Sequence, residues 1–263
     1  MTTLPGLFVV GTDTGVGKTR VAAAIARTWT LAGRRVGVLK PVSTGGVWRE
    51  GALTSPDADL LIEAAGGGIP HDRAAPLVFE EPLAPPVAAR RSGSPLTPEA
   101  VELAVADALM WWGGRAEAMV VEGVGGLLCP LAEGWTVADL AIALDYPLVI
   151  AAHRGLGTIN HVLITIEAAR GRSLRVAGVV LNGARPTVDP LAEATNADEL
   201  ARRLGDVAIL ADWGHDDAIG RGTVAPEAGG WYDLASVPRV ARPGRLRRSP
   251  PLESREDRPQ CPA

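Results

Sequence analysis

The sequence predicts an α/β fold, a mostly parallel sheet with helices on both faces, and three observations lead there. Short apolar runs recur along the chain and are continuous rather than alternating, as strands buried on both faces are. Segments with helical spacing lie between them, and alternation of the two element types is the signature of a parallel sheet covered on each side. The first run passes through a glycine-rich loop straight into a helix, the arrangement that places a turn and a helix start at one edge of the sheet.

Each element follows from local signals. Residues 6–10 are apolar and end in Gly11-Thr-Asp-Thr-Gly-Val-Gly-Lys-Thr19. Val21, Ile25 and Trp29 then recur at four-residue steps, a helical stripe over 20–31 that Gly33 ends. Residues 35–39 form the next strand, so 6–39 is one β-loop-α-β unit. Residues 41–56 read as a Ser/Thr/Gly loop, and Pro56-Asp57 opens a helix with an acidic first turn. The Gly/Pro-rich stretch 66–98 is a surface excursion with one short helix at 87–91. Thr97 caps a helix whose first residue is Pro98. Strands follow at 118–122, 147–152 and 176–181, with helices at 137–144 and 160–169. A helix at 196–204 and a last strand at 207–210 complete the sheet, and 212–240 reads as irregular. The expected organisation is one P-loop α/β domain over residues 1–240 and an unstructured tail, rich in Pro and Arg, over 241–263.

Composition narrows the function. At 263 residues, 47% hydrophobic and 21% charged, the chain is that of a packed globular protein. A net charge of −4 argues against a broad nucleic-acid partner. No apolar run approaches the ~18 residues of a membrane span, so no membrane partner and a cytoplasmic home are expected. Two cysteines, Cys129 and Cys261, and four scattered histidines give no zinc or disulfide pattern. Of the 26 basic residues only two are lysine, Lys18 and Lys40, and each stands at a strand-to-loop turn. Lysine is a compact charge on a flexible stem, whereas arginine is a planar fork, so the pair marks places where a point-like ammonium is called for.

The chemistry gathers around those turns. Between a strand and a helix, Gly17-Lys18-Thr19 has the makings of a triphosphate cradle: amides turned toward phosphate, Lys18 reaching β and γ oxygens, and the Thr19 hydroxyl at a magnesium position. The strict G-x-x-x-x-G-K-[ST] pattern has Thr12 at its first place, with Gly11 one residue early. A glycine-rich turn with an incidental lysine is the bland alternative. Glu122 ends a buried strand at the edge beside the loop, and Asp57 opens a helix after the second strand; both are candidate magnesium carboxylates. For Asp57 a helix-capping role is the competing explanation. Lys40 ends the second strand, and Thr14 and Thr44 offer hydroxyls nearby. A second anion site is expected where Arg154-Gly-Leu-Gly-Thr-Ile-Asn160 opens a helix, with the Thr158 and Ile159 amides as donors. Asn160 there is either a helix cap or a cap that also touches ligand.

Spread over residues 7–182, these segments resemble dethiobiotin synthetase. The resemblance is carried by 11–19, by Lys-Pro-Val-Ser-Thr-Gly at 40–45, Val-Glu-Gly-Val-Gly-Gly at 121–126, Leu-Gly-Thr-Ile-Asn-His at 156–161 and Leu-Asn at 181–182, with Glu-Pro-Leu-Ala-Pro-Pro-Val-Ala-Ala at 81–89 between them. It implies a P-loop NTPase-type fold, ATP and Mg2+ as cofactors, a homodimer, and 7,8-diaminononanoate with CO2 or bicarbonate as substrates. It further implies that Thr14, Gly15, Val16, Gly17, Lys18 and Thr19 hold the nucleotide together with Glu122 and Asn182, the last at adenine. Thr19, Asp57 and Glu122 would sit at magnesium, and Lys18 and Lys40 would be catalytic. Thr14, Lys40, Thr44 and the Gly157, Thr158, Ile159, Asn160 turn would take the substrate, the turn acting from the partner subunit. The sequence departs from the family pattern at Val124, where alanine is often found, and in Ala208-Ile-Leu-Ala-Asp212, which lacks the expected Pro and Gly.

Two rivals remain at the sequence level. A regulatory or partitioning P-loop ATPase acting by nucleotide-dependent dimerisation usually has an extra lysine early in the loop, where this chain has Thr12-Asp-Thr14. An amidating ligase of corrin synthesis normally needs a glutaminase domain, for which the chain is too short.

Overall fold

The computed structural model describes residues 4–183, 189–215 and 228–235. A six-stranded sheet forms its centre. In spatial order the strands are β12 (Ile209–Trp213), β11 (Val176–Asn182), β10 (Leu148–His153), β1 (Gly6–Gly11), β7 (Ala118–Gly126) and β2 (Val36–Leu39). Every neighbouring pair is parallel, and helices cover both faces, a P-loop NTPase-type architecture. The expected fold class therefore holds. Successive connections leave β1 toward β2 and β7 on one side and reach β10 on the other, so the C-terminal end of β1 is the switch point of the sheet.

The core is the buried set that the continuous apolar runs supply. Leu7, Phe8, Val9, Val120, Val121, Leu148 and Ile150 are fully buried, because a central parallel strand has no solvent face. Helix α1 (Lys18–Leu31) lays its stripe of Val21, Ile25 and Trp29 against the sheet, all three fully buried. Helix α6 (Val137–Leu144) begins at a capping box in which Thr136 and Asp139 exchange hydrogen bonds, and its bounds match the sequence expectation.

The expected loop at 41–56 is more structured than its composition suggests. It holds β3 (Val42–Thr44), β4 (Val47–Arg49) and β5 (Ala52–Thr54). The last two form a hairpin whose turn residues Glu50 and Gly51 both take positive φ, 50° and 82°, the conformation a two-residue hairpin turn requires. Strand β6 (Leu77–Phe79) pairs with β3, and the short helices α3 (His71–Ala74) and α4 (Pro85–Arg91) flank it, α4 starting two residues before the expected 87. The remaining helices are α2 (Pro56–Ala64), α5 (Pro98–Trp112), α7 (Thr158–Gly171), α8 (Pro190–Ala201) and α9 (Ala228–Ala235), with a small β8–β9 ribbon (Pro130–Ala132, Trp135–Thr136) before α6.

Several boundaries move. Strand β7 runs on to Gly126 rather than stopping at 122, since its pairing with β1 resumes past an irregularity, Gly11 opposite Gly126. Helix α8 starts at Pro190, not 196, because the Asp189 carboxylate accepts from the Ala192 amide and caps it. The last strand occupies 209–213 instead of 207–210, as the Val207 amide is held by the Leu204 carbonyl in the turn that follows α8. Helix α9 falls in a stretch read as irregular. The expected tail at 241–263 lies outside the described residues.

Candidate active site

The first glycine turn is built on the end of β1. Gly15 and Gly17 take φ of 75° and 86°, a left-handed geometry that costs other residues about 1–2 kcal/mol. Gly17 is the N-cap of α1 and offers no side chain to the first-turn amides, which leaves those donors for an anion. The early glycine has a steric reason. A Cβ at Gly11 would stand 2.6 Å from the Asp13 carbonyl and 3.0 Å from Lys18 Nζ, so the loop folds directly over that position. Thr12, where the strict motif has glycine, is tied instead to β10 through its amide and the Ala151 carbonyl at 3.0 Å. Lys18 is buried and donates to the Asp13 carbonyl at 3.0 Å.

Sheet register then delivers Lys40 and Glu122 to the same place. Leu39 pairs with Val121 and Val9 with Glu122, so the next residue of β2's strand end, Lys40, emerges beside Glu122 at the edge where the loop begins. Lys40 Nζ lies 2.5 Å from Glu122 Oε1 and 2.8 Å from Asp57 Oδ2. The Thr19 hydroxyl is 2.9 Å from Glu122 Oε1 and 3.0 Å from Asp57 Oδ1, its single proton going to one or the other. Asp57 is not the cap of α2. Ser55 is, accepting from the Ala58 amide at 3.2 Å with Pro56 at the first helical position, and this frees the Asp57 carboxylate to face Thr19 and Lys40.

Burial and charge set the protonation tendencies. Burial works to lower the Lys40 pKa, but the carboxylates of Glu122 and Asp57 outweigh it and hold the ammonium above its ordinary range. At Asp57 burial pulls upward, while the Lys40 charge and hydrogen bonds from Lys40 and Thr19 bring the carboxyl below its usual value. Glu122 goes the other way: complete burial raises it, the nearby Asp57 charge adds to the rise, and Lys40 only partly offsets them. Lys18 is lowered by burial and by Lys40. The carboxylates thus favour the charged form of Lys40, and burial disfavours the charged form of Glu122. Its Oε2 is buried without a hydrogen-bond partner among the described residues.

A second glycine turn closes the end of β10. Gly157, φ 91°, is the N-cap of α7 and again contributes no side-chain cap. The helix begins at Thr158 rather than 160, so Asn160 is its third residue, exposed, and the capping role expected for it is ruled out. The Thr158 amide is already bonded to the Gly155 carbonyl at 3.3 Å, while its hydroxyl is buried with no partner among the described residues. Arg154 is held by Asp212 at 2.6 Å and Glu193 at 3.4 Å, and the Asn196 amide donates to the carbonyls of Arg154 and Gly155.

A family described as an AAA domain matches residues 5–216. ATP-dependent dethiobiotin synthetase BioD of Anaeromyxobacter dehalogenans strain 2CP-C is 46% identical over 198 residues, covering 75% of this chain and 84% of the relative. The enzyme of the same name from Anaeromyxobacter sp. strain Fw109-5 is 42% identical over 215 residues, covering 79% and 92%. The chain belongs to the dethiobiotin synthetase family. Among solved structures, the septum site-determining protein MinD of Pyrococcus horikoshii, in complex with Mg-ADP, matches at 15% identity and a TM-score of 0.47, covering 88% of this chain and 94% of that one.

Of the residues that the dethiobiotin synthetase resemblance picks out, the structure brings Lys18, Thr19, Lys40, Asp57 and Glu122 into one cluster. Val16 is buried in the loop, and Thr14 is exposed above it. Thr44 ends β3, three residues beyond Pro41, and is half-buried. Asn182 is fully buried; its amide donates to the carbonyls of Val16 and Gly17 at 3.1 and 3.4 Å, leaving only Oδ1 without a partner. Such a side chain braces the loop, and its Oδ1 is an acceptor left unpaired among the described residues. No group of three or more His, Cys, Asp or Glu side chains that could hold a metal occurs among the described residues. Two carboxylates, one of them with an unpartnered buried oxygen, and one hydroxyl nevertheless fit magnesium, which keeps waters and takes phosphate oxygens in place of a full protein cage. Sequence reasoning missed Ser55, His71 and Ser43. Ser55-Pro56-Asp57 carries a capping signature that could have revealed the first; nothing local marks the other two.

Proposed function

We propose that this chain is an ATP-dependent dethiobiotin synthetase of biotin biosynthesis. One amine of 7,8-diaminononanoate adds to CO2 to give a carbamate. A carbamate oxygen attacks the γ-phosphorus of ATP and ADP leaves. The second amine then attacks the carbamoyl carbon, inorganic phosphate departs, and the cyclic urea of dethiobiotin results. The observation that carries this reading is the convergence of two lysines, two carboxylates and a threonine hydroxyl at the end of β1.

A carbamate is a weak, anionic nucleophile approaching an anionic phosphate, so cations placed beforehand are what lower the barrier. Lys18 and the first-turn amides of α1 hold the β- and γ-phosphates. Thr19, Asp57 and Glu122 would hold Mg2+, which when bound neutralises phosphate charge. Lys40 stays protonated and orients the carbamate against the γ-phosphate; Thr14 and Thr44 bind the diamine end. The turn at 157–160 takes the distant carboxylate across a homodimer, and Asn182 offers its Oδ1 to the adenine amino group.

ATP turnover with and without diaminononanoate and bicarbonate tests the reading. ADP release is expected to require both, with dethiobiotin found by mass spectrometry in equal amount. Turnover independent of the diamine and stimulated by DNA or a membrane protein would place the chain among partitioning ATPases instead. Lys40→Arg is expected to lose coupled turnover while keeping nucleotide binding, because a planar fork cannot replace a point charge in that confined site.

A further inference from the structure

Helix α3 has only four residues, yet it touches the supports of both cation-site elements. Its last residue, Ala74, accepts from the Lys40 backbone amide at 2.6 Å. Its first, His71, accepts through Nε2 from the Ser55 amide at 2.9 Å, with the Ser55 carbonyl at 3.4 Å and Asp59 Oδ1 at 3.8 Å from the same nitrogen. Ser55 is the fully buried cap of α2, and its hydroxyl also meets that of Ser43 on β3 at 2.7 Å. Two residues on stands Asp57. Helix α3 is itself fixed from outside, by Trp112 Nε1 donating to the Arg73 carbonyl and by the Arg73–Asp107 ion pair at 2.5 Å.

We infer that His71 is a positioning residue for the cation site: by holding the Ser55 amide it sets the first turn of α2 and hence the Asp57 carboxylate against Thr19 and Lys40. A backbone amide at the start of a helix has no intrahelical partner. Here the imidazole supplies one from a separate element, so the angle at which α2 leaves β5 depends on it. Without that partner the turn can rotate, and the carboxylate at its second residue moves with it. The inference rests on the proposed placement of magnesium at Asp57.

The test is ADP binding by calorimetry across a series of Mg2+ concentrations, which reads the site without turnover. His71→Ala is expected to raise half-saturating Mg2+ about fivefold, the equivalent of one lost hydrogen bond. His71→Gln, whose amide oxygen reaches as far as Nε2, restores a value near wild type, and His71→Asn, one bond shorter, does not. Asp57→Asn raises half-saturating Mg2+ by itself, and His71→Ala added to it gives no further rise, since the effect passes through that carboxylate. An unchanged value in His71→Ala beside a shifted one in Asp57→Asn overturns the inference and leaves the magnesium placement standing. An unchanged value in Asp57→Asn removes the placement and the inference with it. Equal impairment in His71→Gln and His71→Asn also overturns it, and this pair decides the matter should the alanine variant fail to fold.

Discussion

Two turns in this molecule have nearly the same backbone. Each follows a central strand, each carries a left-handed glycine as helix N-cap, Gly17 at φ 86° and Gly157 at φ 91°, and neither has a side-chain cap. Their surroundings differ. The first has Lys18 and Thr19 on its own helix and receives Lys40 and Glu122 from β2 and β7. Beside the second, the Arg154 guanidinium is held by Asp212 and Glu193, and its carbonyl is held by Asn196. The same backbone turn thus stands in two different settings: the first is surrounded by lysine charge and acidic oxygens, while the second has its Thr158 amide bonded to the Gly155 carbonyl and its arginine already paired. Under the proposed function the first would take phosphate and the second the substrate carboxylate.

Substitutions at the two turns test whether they differ in this way. Lys18→Ala has the largest expected effect, a fall in kcat/KM for ATP on the order of 10²–10³-fold, as for removal of a charge-stabilising donor; steady-state kinetics at saturating diamine measure it. A loss under tenfold would show that the amides of the first turn suffice and that the two turns are alike. Next come Gly17→Ala and Gly157→Ala, each forcing a side chain into left-handed backbone at about 1–2 kcal/mol. The first is expected to weaken ADP binding and the second to raise KM for the diamino acid, with little crossover between them. A Cβ at Gly157 meets only His161 Cε1 at 3.9 Å, so its effect is strain and not collision. Smallest is Asn196→Ala, which frees the carbonyls of Arg154 and Gly155. About 1 kcal/mol and a drop in Tm of about 2–4 °C are expected by thermal unfolding, with ATP affinity unchanged.

Parts of the site were legible early because their signals are local. Gly17-Lys18-Thr19 declares itself by strand before and helix after, and Glu122 by standing at the end of an apolar run. Asp57 was visible as an acidic residue at a helix start, yet its two roles could not be separated, since Ser55 and Asp57 are both capping residue types and only the structure shows Ser55 taking the Ala58 amide. The hairpin at 47–54 escaped because Glu-Gly is a weaker turn signal than Asn-Gly or Asp-Gly. His71 escaped altogether: a histidine after a proline in a loop has no pattern, and its partner lies 16 residues away.

Composition and periodicity by themselves determined the parallel α/β class, the phosphate loop and the sheet edge on which chemistry gathers. Those follow from burial and from glycine's backbone freedom, which are properties of short stretches. Only the tertiary structure decided that Lys40 Nζ stands between two carboxylates, that Asn160 is not a cap, and that α3 props both β2's end and α2's start. Each of these depends on register between strands or on contacts distant along the chain, and a side chain's partner across such a gap is set by packing, not by its neighbours in sequence.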